Sequence, residues 1–578
     1  MTPFQRLCLL AVFAAAGIAA IAAPEQMLLR FAQRPDPVPD HRIAVQAFGC
    51  VLLALGVALF EETDAAGPRR RRVAGLAFLA GLPAIHVLFT AHLGDWWIDD
   101  AGITFAYARS LAEGHGLTFH PGRPAEEGYS STLWMLLLAL ARTLGGDIQA
   151  VAKHAGVLSG AAALVLALDL VRRAGARPLG LVLTFAMVVT APFVVWTASG
   201  QEHALQGLLL MLVVHAMARL ERWHAPVAAL LAALVLTRPE APLIVAAVFA
   251  AGLALSWRAG RGLDLGRTLP VAAVPFAVFL GLFAFRYAYF GELMPNPYHA
   301  KASGASFAGL LNPFGGGWSY VLGALRDTSL LLAVAFVALW RGAGIARAGA
   351  WGAAAVLGGH LVFVIWAKGD WMGQYRFLMP VLPVLGVVLA LAVLQAGRAL
   401  RGGVVLAAGA VLILMQSTVS DLVAFRERPT TPLSAVTAVG DAFAGLAERM
   451  GIADPTLAHH DAGGIAYNRR IELIDLGGLV DGRIARHMRD RDFLVDYLLK
   501  QRRPDFFFGA RNFAALSGFA ETRAFARAYV PVEFVGKPYM DSYLGHMRRD
   551  LVRPAPGIGI RRDGGEITGV TVHPGAGG

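Results

Sequence analysis

Charge is scarce in this sequence. Only 16% of its 578 residues are Asp, Glu, Lys or Arg, where soluble domains average about 25%. That scarcity excludes a soluble enzyme. Taken with 56% hydrophobic residues, it also excludes a disordered chain, which needs low hydrophobicity and high charge. Cysteine is nearly absent. Cys8 and Cys50 are the two present, and both lie in apolar runs, which excludes a disulfide-stapled fold. The net charge of +11 does not call for nucleic acid, because basic residues in a membrane protein first report orientation.

What the chain has is long apolar runs. A span needs roughly 20 mostly apolar residues. The runs at 7–23, 43–60, 73–92, 151–171, 178–197, 203–219, 225–238, 240–257, 269–289, 326–340, 349–366, 376–396 and 402–418 predict a polytopic α-helical membrane protein of about 13 spans. Arg6, the apolar run after it and Ala-Ile-Ala-Ala before Pro24 also resemble a signal peptide. A retained helix is the expectation, since a multi-span protein needs no cleaved signal.

Basic clusters orient the spans. Arg69 to Arg72, Arg172 to Arg177, Arg219 to Arg222, Arg258 to Arg267, Arg341 to Arg347 and Arg398 to Arg401 belong in the cytoplasm by the positive-inside rule. They alternate correctly only if the short apolar run 131–145 is an interfacial or re-entrant helix. The chain is then expected in a bacterial inner membrane, N-terminus inside. Loops 93–150, 198–202, 290–325 and 367–375 and the tail 420–578 fall outside. Three regions follow: 1–60, two added N-terminal helices; 61–419, a transmembrane core; and 420–578, a periplasmic α/β domain. The tail carries helical stretches at 432–450, 484–501 and 512–527. Strand-like runs lie at Thr456 to His459, Ile471 to Asp475, Asp505 to Phe508 and Val530 to Val535. The last stretch, ending in Pro-Gly-Ala-Gly-Gly, reads as loose.

The polar motifs gather in the outer segments. Asp99 and Asp100 stand just past a span, at the start of a helical pattern with Ile103, Tyr107 and Leu111 on one face. Acids there favour the helix dipole and cap its first turn. They are also suited to accepting a proton from a hydroxyl or stabilising a developing cation. His115 and His120 lack a second ligand at helical spacing, so no metal is expected from them. Further motifs are Glu126-Glu127-Gly128-Tyr129-Ser130-Ser131, Ser199-Gly200-Gln201-Glu202, Thr237-Arg238-Pro239-Glu240, Pro295-Asn296-Pro297 to Lys301, and Lys368-Gly369-Asp370 with Tyr375-Arg376. Ionisable groups at such depth are costly and are usually paired or functional. Arg238, Lys301, Lys368 and Arg376 are the residue types that hold a phosphate. Each also fits an interfacial anchor that snorkels to headgroups, and Arg238 fits an ion pair with Glu240.

From about residue 94 to 380, and more weakly through the tail, these motifs in this order resemble the GT-C class of polyprenyl-phosphate-dependent glycosyltransferases. They resemble most the branch that holds the mycobacterial terminal arabinofuranosyltransferase. The carriers include Asp99-Asp100-Ala-Gly-Ile-Thr-Phe, Tyr107-Ala108-Arg109, Gly114-His115-Gly116-Leu117, Glu127 to Ser131, and Thr237 to Glu240. In the tail they are Asp461-Ala462-Gly463-Gly464 and Ile474 to Leu479. The chain departs from the pattern at Ala106, where relatives often carry Arg, and at Gly200-Gln201-Glu202-His203, where they often read Gly-Leu-Glu-Thr.

The resemblance implies a lipid-linked sugar donor, with arabinofuranose as one candidate sugar, used on the outer face, with Asp99 or Asp100 at the catalytic centre. Arg109, Tyr129, Ser130, Glu202, Arg238, Glu240, Asn296, Lys301, Lys368, Asp370, Tyr375 and Arg376 are then expected to line the substrate site. The acceptor is an envelope glycan, lipopolysaccharide or surface protein. No metal ligand is assigned, and no cofactor beyond the polyprenyl-phosphate sugar. Two other readings fit a chain of this composition: a transporter or flippase of lipid-linked sugars, and a non-catalytic scaffold for an envelope or motility protein. A transporter needs polar residues through the bilayer midplane, whereas here they cluster on one side.

Overall fold

The structure is a computed structural model. It describes residues 12–19, 41–62, 67–218, 224–258, 265–301, 312, 315–328, 347–399, 403–510, 518–536 and 543–574. Most of the expected spans at 326–340 and 7–23 lies outside these residues. The chain divides into two compact units. One comprises Met1–Trp96, Ala152–Gly281 and Ala305–Thr430; the other comprises Trp97–Val151, Leu282–Gly304 and Thr431–Gly578.

The first unit is helical. Among the described residues of the whole chain, seven helices are long and apolar enough to cross a membrane, or eight if one bent pair counts as a single span. They are Ile43–Glu61, Pro68–Ala91, Ile148–Arg173, Ala241–Arg258, Leu269–Phe290, Gly349–Trp366 and Val404–Glu427. The bent pair is Pro178–Val188 and Ala191–Ala198, which meet at 64°. The sequence gives no break in that apolar run apart from Pro192, which sits in the first turn of the second helix, where its missing N–H costs nothing. Every residue of both halves is buried, as expected of helices apolar all round. Small residues allow the close approach. A Cβ at Gly386 would press on Val188, and one at Gly180 on Leu394. Helices His203–Ala218 and Ala225–Thr237 are apolar but shorter.

The second unit is built on a seven-stranded mixed sheet. Its strands are β1 (Thr456–His459), β2 (Glu472–Asp475), β3 (Phe506–Ala510), β4 (Tyr529–Phe534), β5 (Tyr543–Arg548), β6 (Ile558–Asp563) and β7 (Glu566–Val572). The order is β2-β1-β3-β5-β4-β7-β6, with β1 parallel to both β2 and β3. Successive side chains of a strand point to opposite faces, and the Phe506-Phe507-Phe508 run uses this. Phe506 and Phe508 pack on Phe443 of the helix Leu433–Met450, with ring centroids 5.3 and 5.4 Å apart. Phe507 faces the other way, onto Phe525 and Tyr529 at 5.2 and 4.9 Å. The four strand-like runs of the tail correspond to β1–β4. The β6–β7 hairpin adds order to the stretch read as loose, up to residue 574. It turns at Gly564 and Gly565, both at positive φ, the conformation a tight hairpin requires.

The same unit holds the segment 97–151. Asp99–Ala112 is a helix of 14 residues, and Thr132–Thr143 one of 12. At 1.5 Å per residue the latter reaches about 18 Å, short of a hydrocarbon core of about 30 Å. The Ser131 hydroxyl caps it, accepting the Trp134 N–H at 3.3 Å.

Candidate functional site

Residues far apart in sequence meet at the C-terminal end of the parallel strands β1 and β2, the edge where open α/β sheets place their ligands. The last residues of the two strands, His459 and Asp475, are paired in register. Beyond β1 the chain runs through His460 and Asp461 into the short helix Gly463–Asn468. The start of that helix receives Asp99. One Asp99 oxygen accepts the Gly464 N–H at 2.7 Å and the other accepts the Gly463 N–H at 3.0 Å. No larger residue fits at this crossing. A Cβ on Gly463 would overlap the Asp99 carbonyl oxygen, and one on Gly102 would overlap Leu433 and the Gly463 backbone.

Asp99 is buried, with 3% of its surface exposed. Burial raises its carboxyl well above the usual range, and the neighbouring charges of Asp461 and Asp100 push the same way, while the two amides oppose them. Asp100 is half-buried and lies within electrostatic reach of both Asp99 and Asp461. The two acids that the sequence leaves interchangeable are thus different in kind. Asp99 is spent on backbone amides, whereas Asp100 sits in a partly open carboxylate cluster.

His459 and His460 were not singled out by sequence reasoning, and Asp461 entered only through a family motif. The signal available was position, directly after a short strand. His459 is 1% exposed. Its Nδ1–H donates to the Phe508 carbonyl at 2.5 Å, and burial lowers its pKa to about 3, so the ring is neutral. Asp475 is closed by its own turn, accepting the Gly477 and Val480 N–H groups at 2.8 Å each. Burial still raises it to about 7.

Beside β2 a cavity of about 370 Å³ is lined by Phe119, Arg123, Glu126, Asp475, Asp481, Arg483, Tyr497 and Arg502, among others. Its polar side chains are held in place. The Tyr497 hydroxyl donates to Asp481 at 2.9 Å, and Glu126 accepts the Gly482 N–H at 2.5 Å and the Asn296 amide at 3.0 Å.

The other expected residues of this unit brace it. Arg109 donates to Glu113 at 2.9 Å and to the Tyr467 carbonyl at 3.0 Å. Tyr129 is buried against Tyr107, ring to ring at 5.0 Å, and Ser130 is half-buried. Lys301 closes the helix Asn296–Lys301, but its side chain lies outside the described residues. Sequence reasoning missed Arg286, which grips Glu127 with two bonds of 2.7 and 3.0 Å. His115 lies 4.0 Å from Glu113, and His120 donates to the Pro121 carbonyl at 3.0 Å. Among the described residues neither joins a group of three ligand side chains.

The first unit gathers the remaining expected residues into two ion-paired knots. Arg238 bridges Glu202 at 2.8 Å and Glu240 at 3.1 Å, and Gln206 donates to Glu240 at 2.9 Å. Arg376 pairs with Asp370 at 2.6 Å and lies over the Trp196 and Phe377 rings at 5.7 and 5.3 Å. Tyr375 donates to Asp327. Lys368 is exposed and takes a positive φ of 62°. Arg238 and Arg376 are therefore compensated by carboxylates, and Lys368 is a cation turned to solvent.

Residues 436–549 match the model of a domain of unknown function, DUF8728. No curated protein matches. Among solved structures the chain is similar to the crystal structure of ArnT from Cupriavidus metallidurans bound to undecaprenyl phosphate. The TM-score is 0.54 at 13% identity, over 83% of this chain and 99% of that one. The apo state of ArnT gives 0.50 at 12% identity, over 83% and 100%. AglB from Archaeoglobus fulgidus, in complex with an inhibitory peptide and a dolichol-phosphate, gives 0.46 at 12% identity, over 80% and 73%. The fold is GT-C-like, with apolar helices and a C-terminal sheet domain.

Proposed function

We propose that this chain is a membrane glycosyltransferase of the GT-C type. It moves a sugar, arabinofuranose or another pentose or hexose, from a polyprenyl-phosphate donor to an envelope glycan, lipopolysaccharide or surface protein at the outer face of a bacterial inner membrane. The fold carries this reading, because ArnT, which the chain resembles over 83% of its length, is bound to undecaprenyl phosphate. Function does not follow from fold alone, so the partly open acid cluster around Asp100 is the second support.

In this mechanism Asp100 accepts the proton of the acceptor hydroxyl. The hydroxyl oxygen forms the new bond to C1 of the donor sugar as the C1–O bond to the phosphate breaks, and the electron pair leaves on the lipid phosphate. Asp99 fixes the loop helix so that its neighbour stands where the proton is taken. An ammonium is a natural partner for the departing phosphate, and Lys301 is the candidate cation of the unit that carries Asp100. Arg109, Tyr129, Ser130 and Asn296 brace the unit that carries Asp100, and the ion pairs of Arg238 with Glu202 and Glu240 and of Arg376 with Asp370 brace the helical unit, as does Tyr375.

Mass spectrometry of envelope glycans and surface proteins from a deletion strain tests the proposal. Loss of one defined sugar, restored by the wild-type chain, names donor and acceptor together. An unchanged envelope contradicts it.

A further inference from the structure

His459, His460 and Asp461 each offer one ligand atom, and all three lie within 4.8 Å of one another. The Nε2 atoms of His459 and His460 are 3.8 and 3.6 Å from Asp461 Oδ2. Such distances are too long for hydrogen bonds, which end near 3.2 Å. They lie a few tenths of an ångström beyond the ligand–ligand separation of about 3.4 Å that bonds of 2.0–2.1 Å give around a tetrahedral ion.

Two further features support a ligand set. The His459 ring is fixed from behind, because its Nδ1–H donates to the Phe508 carbonyl at 2.5 Å. With Nδ1 as the donor, Nε2 is the ring's acceptor nitrogen, 3.8 Å from Asp461 Oδ2, and a carbonyl behind the ring is the outer-shell arrangement that orients metal-binding histidines. The set is also graded in access. His459 is 2% exposed at its side chain, and His460 and Asp461 are 16% and 21%, so the group reaches solvent through its last two members.

We infer that His459, His460 and Asp461 form a binding site for a divalent transition-metal ion of the Zn2+ class. Two imidazoles and one carboxylate suit borderline ions such as Zn2+ or Co2+ and disfavour Mg2+ and Ca2+, which prefer all-oxygen sets. The ion also offsets the negative charge that Asp99, Asp100 and Asp461 bring to one place. The inference stands on the donor set and does not depend on sugar transfer, so binding is read directly and separately from activity.

The test uses the full chain in lipid nanodiscs, purified on a histidine-free tag, stripped with chelator and titrated with Co2+. The expected result is about one Co2+ per chain, with visible ligand-field absorption that Zn2+ displaces. Asp461→Asn and His460→Gln should each weaken binding on the order of 10-fold or more, comparable at least to the loss of an outer-shell partner. Gel filtration and the melting midpoint without metal confirm that each variant is folded. If one does not fold, the other decides, and wild-type titration decides by itself. A wild-type chain that binds no Co2+ at micromolar concentration overturns the inference. So does a folded variant that binds as the wild type does.

Discussion

The Asp99 carboxylate accepts the Gly463 N–H at 3.0 Å across 364 residues of chain, tying the loop helix Asp99–Ala112 to the sheet domain. Gly464 supplies the second amide at 2.7 Å. A buried carboxylate that satisfies two buried amides is an anchor, and its removal is felt as stability. Asp99→Ala leaves both N–H groups without a partner, at about 1–3 kcal/mol each. Thermal unfolding in nanodiscs should show a loss of about 2–6 kcal/mol for Asp99→Ala and little change for Asp100→Ala.

Gly463→Ala tests the same crossing from the other side. A methyl there overlaps the Asp99 carbonyl oxygen, which is backbone and has no rotamer to yield. Overpacking at such a site costs about 1–3 kcal/mol or more. Gly445→Ala is the control, since nothing lies within 4 Å of a Cβ at that position. The midpoint of unfolding should fall for the first variant and stay unchanged or rise for the second.

Arg238 stands between two buried carboxylates, so breaking the knot strands charge. Arg238→Met leaves Glu202 and Glu240 facing each other, 5% and 3% exposed. The cost of removing one partner from a buried ion pair is about 3–5 kcal/mol. Arg238→Met should therefore give a poorly folded protein by fluorescence-detected gel filtration. Adding Glu202→Gln and Glu240→Gln should recover part of the yield, and a single variant that folds as well as the wild type contradicts the structural role.

Asp475 makes stability depend on pH in an unusual direction. Burial raises its folded-state pKa to about 7, above an unfolded value near 3.9. The folded state then holds the proton more tightly than the unfolded state. Its contribution is fully present below about pH 4 and is lost as pH rises through about 7. Asp475→Asn should remove this slope, so the difference in melting midpoint between wild type and variant should change progressively across that window. A difference constant with pH contradicts the assignment.

Much of this was legible in the sequence because apolar runs and strand-like runs are local signals. The helices Pro68–Ala91 and Ile148–Arg173 and the strands β1–β4 follow from them. The break at Val189-Thr190 was not legible, because both halves are equally apolar and packing decides the bend. The β6–β7 hairpin was passed over although Gly564-Gly565 marks its turn. The acids of the site were visible as a pair, Asp99-Asp100, yet their division of labour was not. It depends on Gly463 and Gly464, which sequence alone does not bring to Asp99. The His459-His460-Asp461 group was obscured for a related reason. Histidines adjacent in a strand exit show no ligand spacing until Phe508 is seen to hold one ring.

In the proposed mechanism Asp100 takes the proton while Asp99 holds it in position. The most direct measurement is transfer from a polyprenyl-phosphate sugar in nanodiscs holding Asp100→Asn, an isosteric change at a half-buried side chain. With folding matched to the wild type, the turnover number is expected to fall on the order of 10²–10⁴-fold, the usual worth of a positioned acid–base group, with little change in KM. Turnover equal to that of the wild type would rule out Asp100 as the proton acceptor.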